Sequence, residues 1–400
     1  MVTNRDIVIV GLQPWDIEIG SNCKNIAIEF AKTNRVLYVN APIDSKTLLK
    51  DRKKKALQKR LALIRQGENL VRMSDNLWIL YPSSVIQSIN WLPGSGIFTL
   101  LNKWNNRRFS KDIRYAMTAL SFHDIILFND SDMIRSFYLP ELLKPQLSIY
   151  YSRDNLMTQP YFFKHGHLLE PELMAKSDIV LANSAYLADL ARKYNKHAYD
   201  IGQGCDLSVF NPAVSRIIPG DLKEIKRPVI GYIGALSAQR LDLDLLLDLC
   251  GTMTEWSFAF VGKQDETFTG SALNTLPNVH FLGLKEEKVL PDYLAFFDVA
   301  INPQQINEMT IGNYPRKIDE YLAMGKPVVA TETVTMQIFR NHVYLGKTAA
   351  DYIELIKRAL AEDEPQQAAE RIAFANTHTW ENSVKSAYIQ IEKIRPDMSA

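Results

Sequence analysis

The chain has 400 residues, 46% of them hydrophobic and 23% charged, a globular composition that excludes a disordered chain, a collagen-like chain and a small disulfide scaffold. Its 46 Lys and Arg against 45 Asp and Glu leave a formal charge of +1, which argues against a dedicated nucleic-acid binder. Three scattered cysteines, Cys23, Cys205 and Cys250, give neither a disulfide framework nor a C-x-x-C zinc pair and suit a reducing cytosol.

The length suits two domains of roughly 150–200 residues each. The N-terminal MVTNRDIVIVG lacks a basic stretch followed by a long apolar core, so no secretory leader is expected. No run of about 18 apolar residues follows, so no transmembrane helix is expected and a membrane would be met only from its surface. Ile7–Val10 is an apolar run closed by Gly11, and a loop with Pro14, Trp15, Asp16 and Gly20 follows. Ser21 or Asn22 can cap a helix reaching Lys32, and Arg35–Val39 reads as the next strand. This β–loop–α–β opening implies parallel neighbours. Between Lys46 and Arg65 stand nine Lys or Arg and one acid, Asp51, with Leu48, Leu49, Ala56, Leu57, Leu61 and Ile64 interleaved at helical spacing. That pattern describes a basic amphipathic helix. Trp91, Leu92, Pro93, Ile97, Phe98 and Trp104 follow, with Arg107 and Arg108 just beyond. Asp124–Phe128, Leu147–Tyr151 and Asp178–Ala182 are further short apolar runs, each followed by polar residues. Ligands of open parallel sheets bind at the carboxyl ends of such strands.

Proline, glycine and charge cluster from Phe210-Asn-Pro through Pro219-Gly220 to Arg227-Pro228, as in a linker. A second β/α series then starts. Strands are expected at Pro228–Ile233, Trp256–Val261, Val279–Leu282, Val299–Ile301 and Pro327–Thr331, with helices at Asp242–Cys250 and Pro315–Met324, the latter closed by Gly325. Helical periodicity resumes near Ala349, and Trp380–Ile394 reads as a last helix. The expected fold class is α/β, with two doubly wound, Rossmann-like domains facing a cleft. They are residues 1–212 and 213–379, and residues 380–400 form a C-terminal helix crossing back to the first domain.

The stretches IGYIGALSAQRLDLDLLLDL, FVGK, NVHFLG and INPQQINEMTIGNYPRKIDEYLAMGKPVVAT lie in the second half; GLQPWDIEIGSN, RVLYVN, SDIVLANSAYLADL and QGCDLSVFNP lie in the first. Together they resemble two-domain GT-B glycosyltransferases, above all the retaining family-four group and its relatives in bacterial polysaccharide assembly. The resemblance covers most of the chain, is strongest from Val229 to Thr331 and weakest from residue 44 to residue 120. It implies a nucleotide-sugar domain in the second half and an acceptor domain in the first. Gly234 follows a strand and precedes a helix starting near Leu241, where backbone N–H groups at a helix N-terminus favour a diphosphate. Arg240 matches the basic residue that relatives place on the donor phosphates, where a cation neutralises charge on the leaving group; the bland alternative is a surface arginine. Ala235 stands where the family usually has a second arginine. Lys263 belongs to a loop that approaches the donor in relatives, and is otherwise a solvated loop lysine. Leu282-Gly283-Leu284 matches the turn whose backbone recognises the base.

Glu320 matches the glutamate that binds the ribose hydroxyls, since a carboxylate accepts two hydrogen bonds from a vicinal diol. Asn313 opens this segment, and Arg316 and Lys317 stand one turn before Glu320, where either cation could reach phosphate. The alternative is an ion pair between Lys317 and Glu320 at i,i+3 spacing. Gly312 occupies the position eight before Glu320, where retaining relatives carry the first of two glutamates. Met309–Pro315 would then offer backbone N–H groups and small side chains to the sugar.

In the first half, Gly11 to Gly20 matches the acceptor-side loop, and Asp16 is a candidate for an acceptor hydroxyl. Asp154, after the LSIYY strand, and His165 and His167 complete the candidate catalytic set, which an inverting reaction would need as bases. Each has a bland reading as a turn or exposed residue. Asp206 reads as a structural turn. Asp130-Ser131-Asp132 is a D-x-D, the metal pair of the other large glycosyltransferase fold. It lies in the acceptor half and is discounted, so no metal and no other cofactor is expected. Lys53, Lys54, Lys55, Arg60 and Trp91 suit an anionic bilayer surface, the alternative being a solvated charged helix over a buried apolar loop.

The expected function is transfer of a sugar from a UDP-, GDP- or dTDP-linked donor to a hydroxyl of a glycan or lipid-linked acceptor, in cell-surface polysaccharide or glycolipid synthesis. The resemblance implies retention without a metal, while the cysteine usage and the basic segment suit a cytoplasmic protein, peripheral on the inner face of the cell membrane. Nucleic acid is not an expected partner. The rivals are a nucleotide-sugar epimerase of the same fold and a noncatalytic sugar-nucleotide-binding partner. A phosphorylase is disfavoured, because no pyridoxal-lysine site can be assigned and the chain is short for one.

Overall fold

The computed structural model describes residues 2–16, 21–94 and 96–398. The chain forms two compact units, one of residues 1–202 with 380–400 and one of residues 203–379.

The first unit holds strands β1 (Asp6–Gly11), β2 (Arg35–Val39), β3 (Ile43–Asp44), β4 (Leu70–Ser74), β5 (Leu77–Leu80), β6 (Val85–Ile86), β7 (Ile126–Asp130), β8 (Leu147–Ser152), β9 (Ile179–Ala182) and β10 (Ala198–Asp200). Eight of them form one sheet in the order β10-β9-β8-β7-β1-β2-β5-β4, parallel except for β4, while β3 and β6 pair separately. Every residue of β1, β7, β8 and β9 is buried, as in parallel strands covered on both faces. The expected Asp124–Phe128 strand is displaced: it starts at Ile126, because Asp124 takes a positive φ of 46° and makes the turn before it.

The helices of this unit are α1 (Asn22–Phe30), α2 (Ser45–Lys50), α3 (Lys55–Gln66), α4 (Gly96–Ala119), α5 (Leu139–Leu143), α6 (Pro160–Lys176) and α7 (Ala185–Arg192). Ser21 caps α1. The basic segment is two helices rather than one, broken at Asp51–Lys54. Leu57 is buried, and Leu63 and Ile64 of α3 pack against the core, so the apolar side of α3 is already used. The aromatic run after Trp91 enters a 24-residue helix, α4, whose Phe109, Ile113 and Ala116 close the other face of the sheet. Among the described residues no helix is long and apolar enough to cross a membrane.

The second unit has strands β11 (Val229–Ile233), β12 (Ser257–Val261), β13 (Val279–Gly283), β14 (Val299–Asn302), β15 (Val328–Thr331) and β16 (Tyr344–Gly346), all parallel, in the order β13-β12-β11-β14-β15-β16. Its helices are α8 (Leu243–Thr252), α9 (Glu266–Thr269), α10 (Leu290–Ala295), α11 (Arg316–Ala323), α12 (Ala349–Glu362) and α13 (Pro365–Ala375). Asp242 caps α8, and Thr348 with Asp351 forms a capping box on α12. The last helix, α14 (Trp380–Ile394), belongs to the first unit. Its Tyr388 ring stacks on Phe30 of α1 at 5.6 Å, and the Asn34 amide donates to the Tyr388 hydroxyl at 2.9 Å.

Candidate functional site

In the second sheet the chain steps outward from β11 to β13, returns to β14 beside β11, and steps outward again to β16. That reversal opens a crevice at the carboxyl ends of β11 and β14, where open parallel sheets bind ligands. The loop Gly234–Leu241 after β11 is tied to both its neighbours. Leu236 N–H donates to Lys263 O at 2.9 Å and Ala238 N–H to Asp265 Oδ2 at 3.0 Å. On the other side Gln305 N–H donates to Arg240 O at 2.8 Å, and Asn307 Nδ2 to Gln239 O at 2.9 Å. Asp265 is held below the usual carboxylate range, foremost by the Phe268 N–H it also accepts. Gly234 is required where it stands: at φ +155° its Cβ would lie 2.5 Å from the Tyr232 hydroxyl.

Helix α11 is pinned to the end of β11 by one side chain. The Tyr321 hydroxyl accepts from Ile233 N–H at 2.9 Å and donates to Ile233 O at 3.2 Å. Next to it, Glu320 is buried and its Oε2 meets Lys317 Nζ at 2.7 Å. The i,i+3 ion pair is therefore present in the unliganded protein. Arg240 and Lys263 are exposed and Arg316 is half-buried, and none of the three has a carboxylate partner among the described residues. The Tyr232 phenol, raised above its ordinary range by burial, lies in the field of both Arg240 and Glu320. Arg240, in the loop after β11, and Glu320, on α11, both lie at the carboxyl end of β11. Among the described residues, three buried amide atoms at this end of the sheet lack partners: Oε1 of Gln264 after β12, Nδ2 of Asn302, the last residue of β14, and Oδ1 of Asn313 in the following loop. Gly312 is buried and Leu284 is exposed beside Gly283.

Sequence reasoning missed the support beneath α11. Asp319 is fully buried; its Oδ1 accepts from His378 Nδ1 at 2.6 Å and its Oδ2 from the Cys205 thiol at 3.2 Å. Tyr314 Oη meets the same His378 nitrogen at 3.2 Å. Cys205 N–H also donates to His378 O at 2.9 Å, so the two ends of this unit are joined to each other and to α11. The only signal in the sequence was an acid on the apolar face of a short helix.

In the first unit the reversal falls between β1 and β7, and Gly11 pairs in register with Asp130. Arg153 spans two acids, at 2.9 Å to the fully buried Asp130 and 3.0 Å to Asp154. Burial pushes the Asp130 carboxyl above its ordinary range in spite of Arg153. Asp132 instead takes Arg135 at 2.9 Å, so the two D-x-D carboxylates serve different partners. Among the described residues no three His, Cys, Asp or Glu are grouped as metal ligands.

Asp16 is exposed and accepts the Tyr81 hydroxyl at 2.6 Å. His165 is buried in α6, stacked on Phe98 at 3.8 Å, and burial pushes its imidazole down. His167 is exposed on the same helix, stacked on Phe163. Gly20 lies outside the described residues. Lys53, Lys54 and Lys55 are exposed, with Lys54 paired to Asp51. Arg60 turns inward to Ala41 O and over the Tyr81 ring, and burial pushes it down to about 10. Asp206 accepts Ser208 N–H at 3.0 Å, a local turn. A polar cavity of about 270 Å³ lies among Asp44, Asn90, Asn102, Asp132, Arg135 and Tyr161. Asn102, Asn105 and Asn106 on the buried face of α4 are the readable trace of this polar interior.

Residues 227–372 match the family described as Glycosyl transferases group 1. A 243-residue stretch is 25% identical to the Bacillus subtilis (strain 168) protein named "Putative teichuronic acid biosynthesis glycosyltransferase TuaH", covering 57% of this chain and 60% of that relative's length. Among solved structures, a sucrose-phosphate synthase from Thermosynechococcus elongatus superposes with a TM-score of 0.67 at 13% identity, over 98% of this chain and 100% of that one. Anabaena HepE in complex with UDP gives 0.62 at 14% identity, over 97% and 100%; HepE structures with UDP and glucose, and with UDP-glucose, are similar in the same way. The fold is GT-B.

Proposed function

We infer that the protein is a glycosyltransferase that moves a sugar from a nucleotide diphosphate donor, UDP-linked in the first instance, to a hydroxyl of a glycan or lipid-linked acceptor in polysaccharide assembly. The observation that carries this reading is that Arg240, in the loop after β11, and Glu320, on the helix pinned to the end of β11, share the carboxyl end of the β11/β14 reversal, with no carboxylate on Lys263 or Arg316 among the described residues. Three cations match the charge of a diphosphate, and a carboxylate among them matches a ribose diol. Lys317 is released to phosphate when the diol takes Glu320. The UDP and UDP-glucose bound by HepE support the choice of donor.

In this reading the acceptor oxygen bonds to the anomeric carbon as the bond from that carbon to the phosphate oxygen breaks. The acceptor's proton passes to the departing phosphate oxygen on the same face, with retention. Arg240 and the cations beside it stabilise the charge that builds on the diphosphate, without a metal. The state of two of the four candidate bases supports this route: Asp154 is held by Arg153, and His165 is buried against Phe98.

The test is calorimetric titration of the protein with UDP, GDP and dTDP, with and without EDTA, followed by product analysis with the matching sugar nucleotides. Selective, EDTA-resistant binding and sugar transfer are expected. An epimerised sugar nucleotide would replace the reading with an epimerase, and binding without turnover on any acceptor would leave a noncatalytic binding protein.

A further inference from the structure

We propose that the first unit docks on an anionic lipid bilayer through the solvent face of α4, together with Trp91 and the start of α6. The stripe Ile97, Leu100, Trp104, Arg108, Lys111 and Tyr115 follows helical spacing along one side of α4. Ile97 is 63% exposed and Leu100 69%, with Trp91 at 71% just before the helix. The opposite side of α4 is buried, so these residues are not spare core. Arg108 lies over the Trp104 ring at 4.8 Å.

Three contacts fuse the pieces into one surface. Lys164 of α6 donates to Trp91 O at 2.7 Å, Asn90 donates to Tyr161 O at 2.9 Å, and Phe98 stacks on His165. They join the start of α6, with its exposed Tyr161 and Phe163, to the segment of Trp91. The Trp91 indole N–H donates to Ser88 O at 2.8 Å, which fixes the ring in its exposed pose.

Charge decides the occupant. From Asn76 to Lys111 the sequence contains Lys103, Arg107, Arg108 and Lys111 and no Asp or Glu. The one acid of α4, Asp112, is turned to Ser84 N–H at 2.9 Å and Ser83 Oγ at 3.0 Å. Lys53, Lys54 and Lys55 add exposed charge after α2, which contacts this region where Ser88 N–H donates to Ser45 Oγ. Arg60 is turned away. Aliphatic and aromatic side chains flanked mainly by cations match an acidic headgroup layer over hydrocarbon, with Trp and Tyr at its interface. The polar cavity of this unit is lined by Asn90 and Tyr161 of the same surface, so docking brings the headgroup layer to its edge. The docking does not depend on the transfer chemistry.

The experiment is cosedimentation of the full chain with phosphatidylcholine vesicles and with phosphatidylcholine–phosphatidylglycerol vesicles. Binding to the second only is expected, weakening as salt screens the cations. The exposed-site variant Trp91→Ser/Ile97→Ser/Leu100→Ser should lower the partition coefficient about tenfold or more with an unchanged melting temperature. Lys103→Gln/Arg107→Gln/Lys111→Gln should abolish the preference for phosphatidylglycerol. No sedimentation with acidic vesicles, or undiminished sedimentation of the apolar triple variant, overturns the proposal. So does a lipid-free dimer that the same variant dissociates, because it assigns the face to a second copy. UDP affinity measured on the triple variant should stay at the wild-type value; absent binding in both proteins would count against the donor reading and leave the docking result standing.

Discussion

A Cβ on Gly262 would lie 1.8 Å from the carbonyl oxygen of Gly234. The ends of β11 and β12 therefore approach closely enough that backbone alone fits between them, and Gly262 also sits at φ +156°. Gly262→Ala should destabilise the second unit by about 3 kcal/mol or more, since both strain and overlap act against it. Gly251, exposed near the end of α8 with nothing near its missing Cβ, is the control. Gly251→Ala should be neutral or stabilise by up to about 1 kcal/mol. Urea midpoints of the two variants check both signs.

Removing Glu320 should act on the donor before it acts on the fold. Glu320→Ala is expected to weaken UDP binding by tenfold or more, about 1.4 kcal/mol, by titration calorimetry. Arg240 is exposed, so Arg240→Ala should leave the melting temperature unchanged while lowering kcat by about tenfold to a hundredfold. An Arg240→Ala enzyme with normal kcat would remove Arg240 from the phosphate role.

Asp319 has one buried oxygen on His378 and the other on Cys205. Asp319→Ala leaves both donors without their acceptor, and a loss of about 2–3 kcal/mol is expected in thermal or urea unfolding. His378→Gln, which can still donate, should retain more stability than His378→Ala. If the two His378 variants unfold alike, the Asp319 bond contributes little.

Glu170 supplies a pH dependence. It is buried under the Tyr150 hydroxyl at 2.6 Å, and burial raises its pKa from 4.5 to about 7. The folded state holds this proton more tightly than the unfolded chain does. Stability therefore falls as pH rises from 4.5 towards about 7, and the full penalty, about 3 kcal/mol, persists above that. Glu170→Gln keeps an acceptor for Tyr150 and removes the charge. It should melt higher than wild type at pH 8, with the difference vanishing near pH 4. Equal melting temperatures at both pH values would show that the carboxylate reaches water.

The parallel strands were legible because they are buried on both faces. Arg35–Val39 is β2 to the residue, and Trp380–Ile394 is α14 to the residue. Ser21 was readable as a cap because a short oxygen-bearing side chain before an apolar-periodic run has few other uses. The hairpin β4–β5 escaped notice, since β4 is an edge strand with a largely exposed pattern. Helix α4 escaped notice because three asparagines interrupt its buried side and apolar residues stand on its open one, which blurs the usual amphipathic signal. At the candidate site, the positions of Arg240 and Glu320 could be read from local motifs. The Asp319–His378–Cys205 network could not, because its members are separated by 59 and 114 residues and meet only when the sheet has formed.

Helix α14 covers α1 through Phe30 and Tyr388, yet the whole second unit separates the two along the chain. A nascent chain leaving the ribosome exposes Ile26 and Phe30 of α1 until α14 emerges, whereas residues 203–379 emerge as one uninterrupted block. The later-synthesised unit can thus complete its core first, and the earlier one must wait with an apolar strip open to solvent and to chaperones.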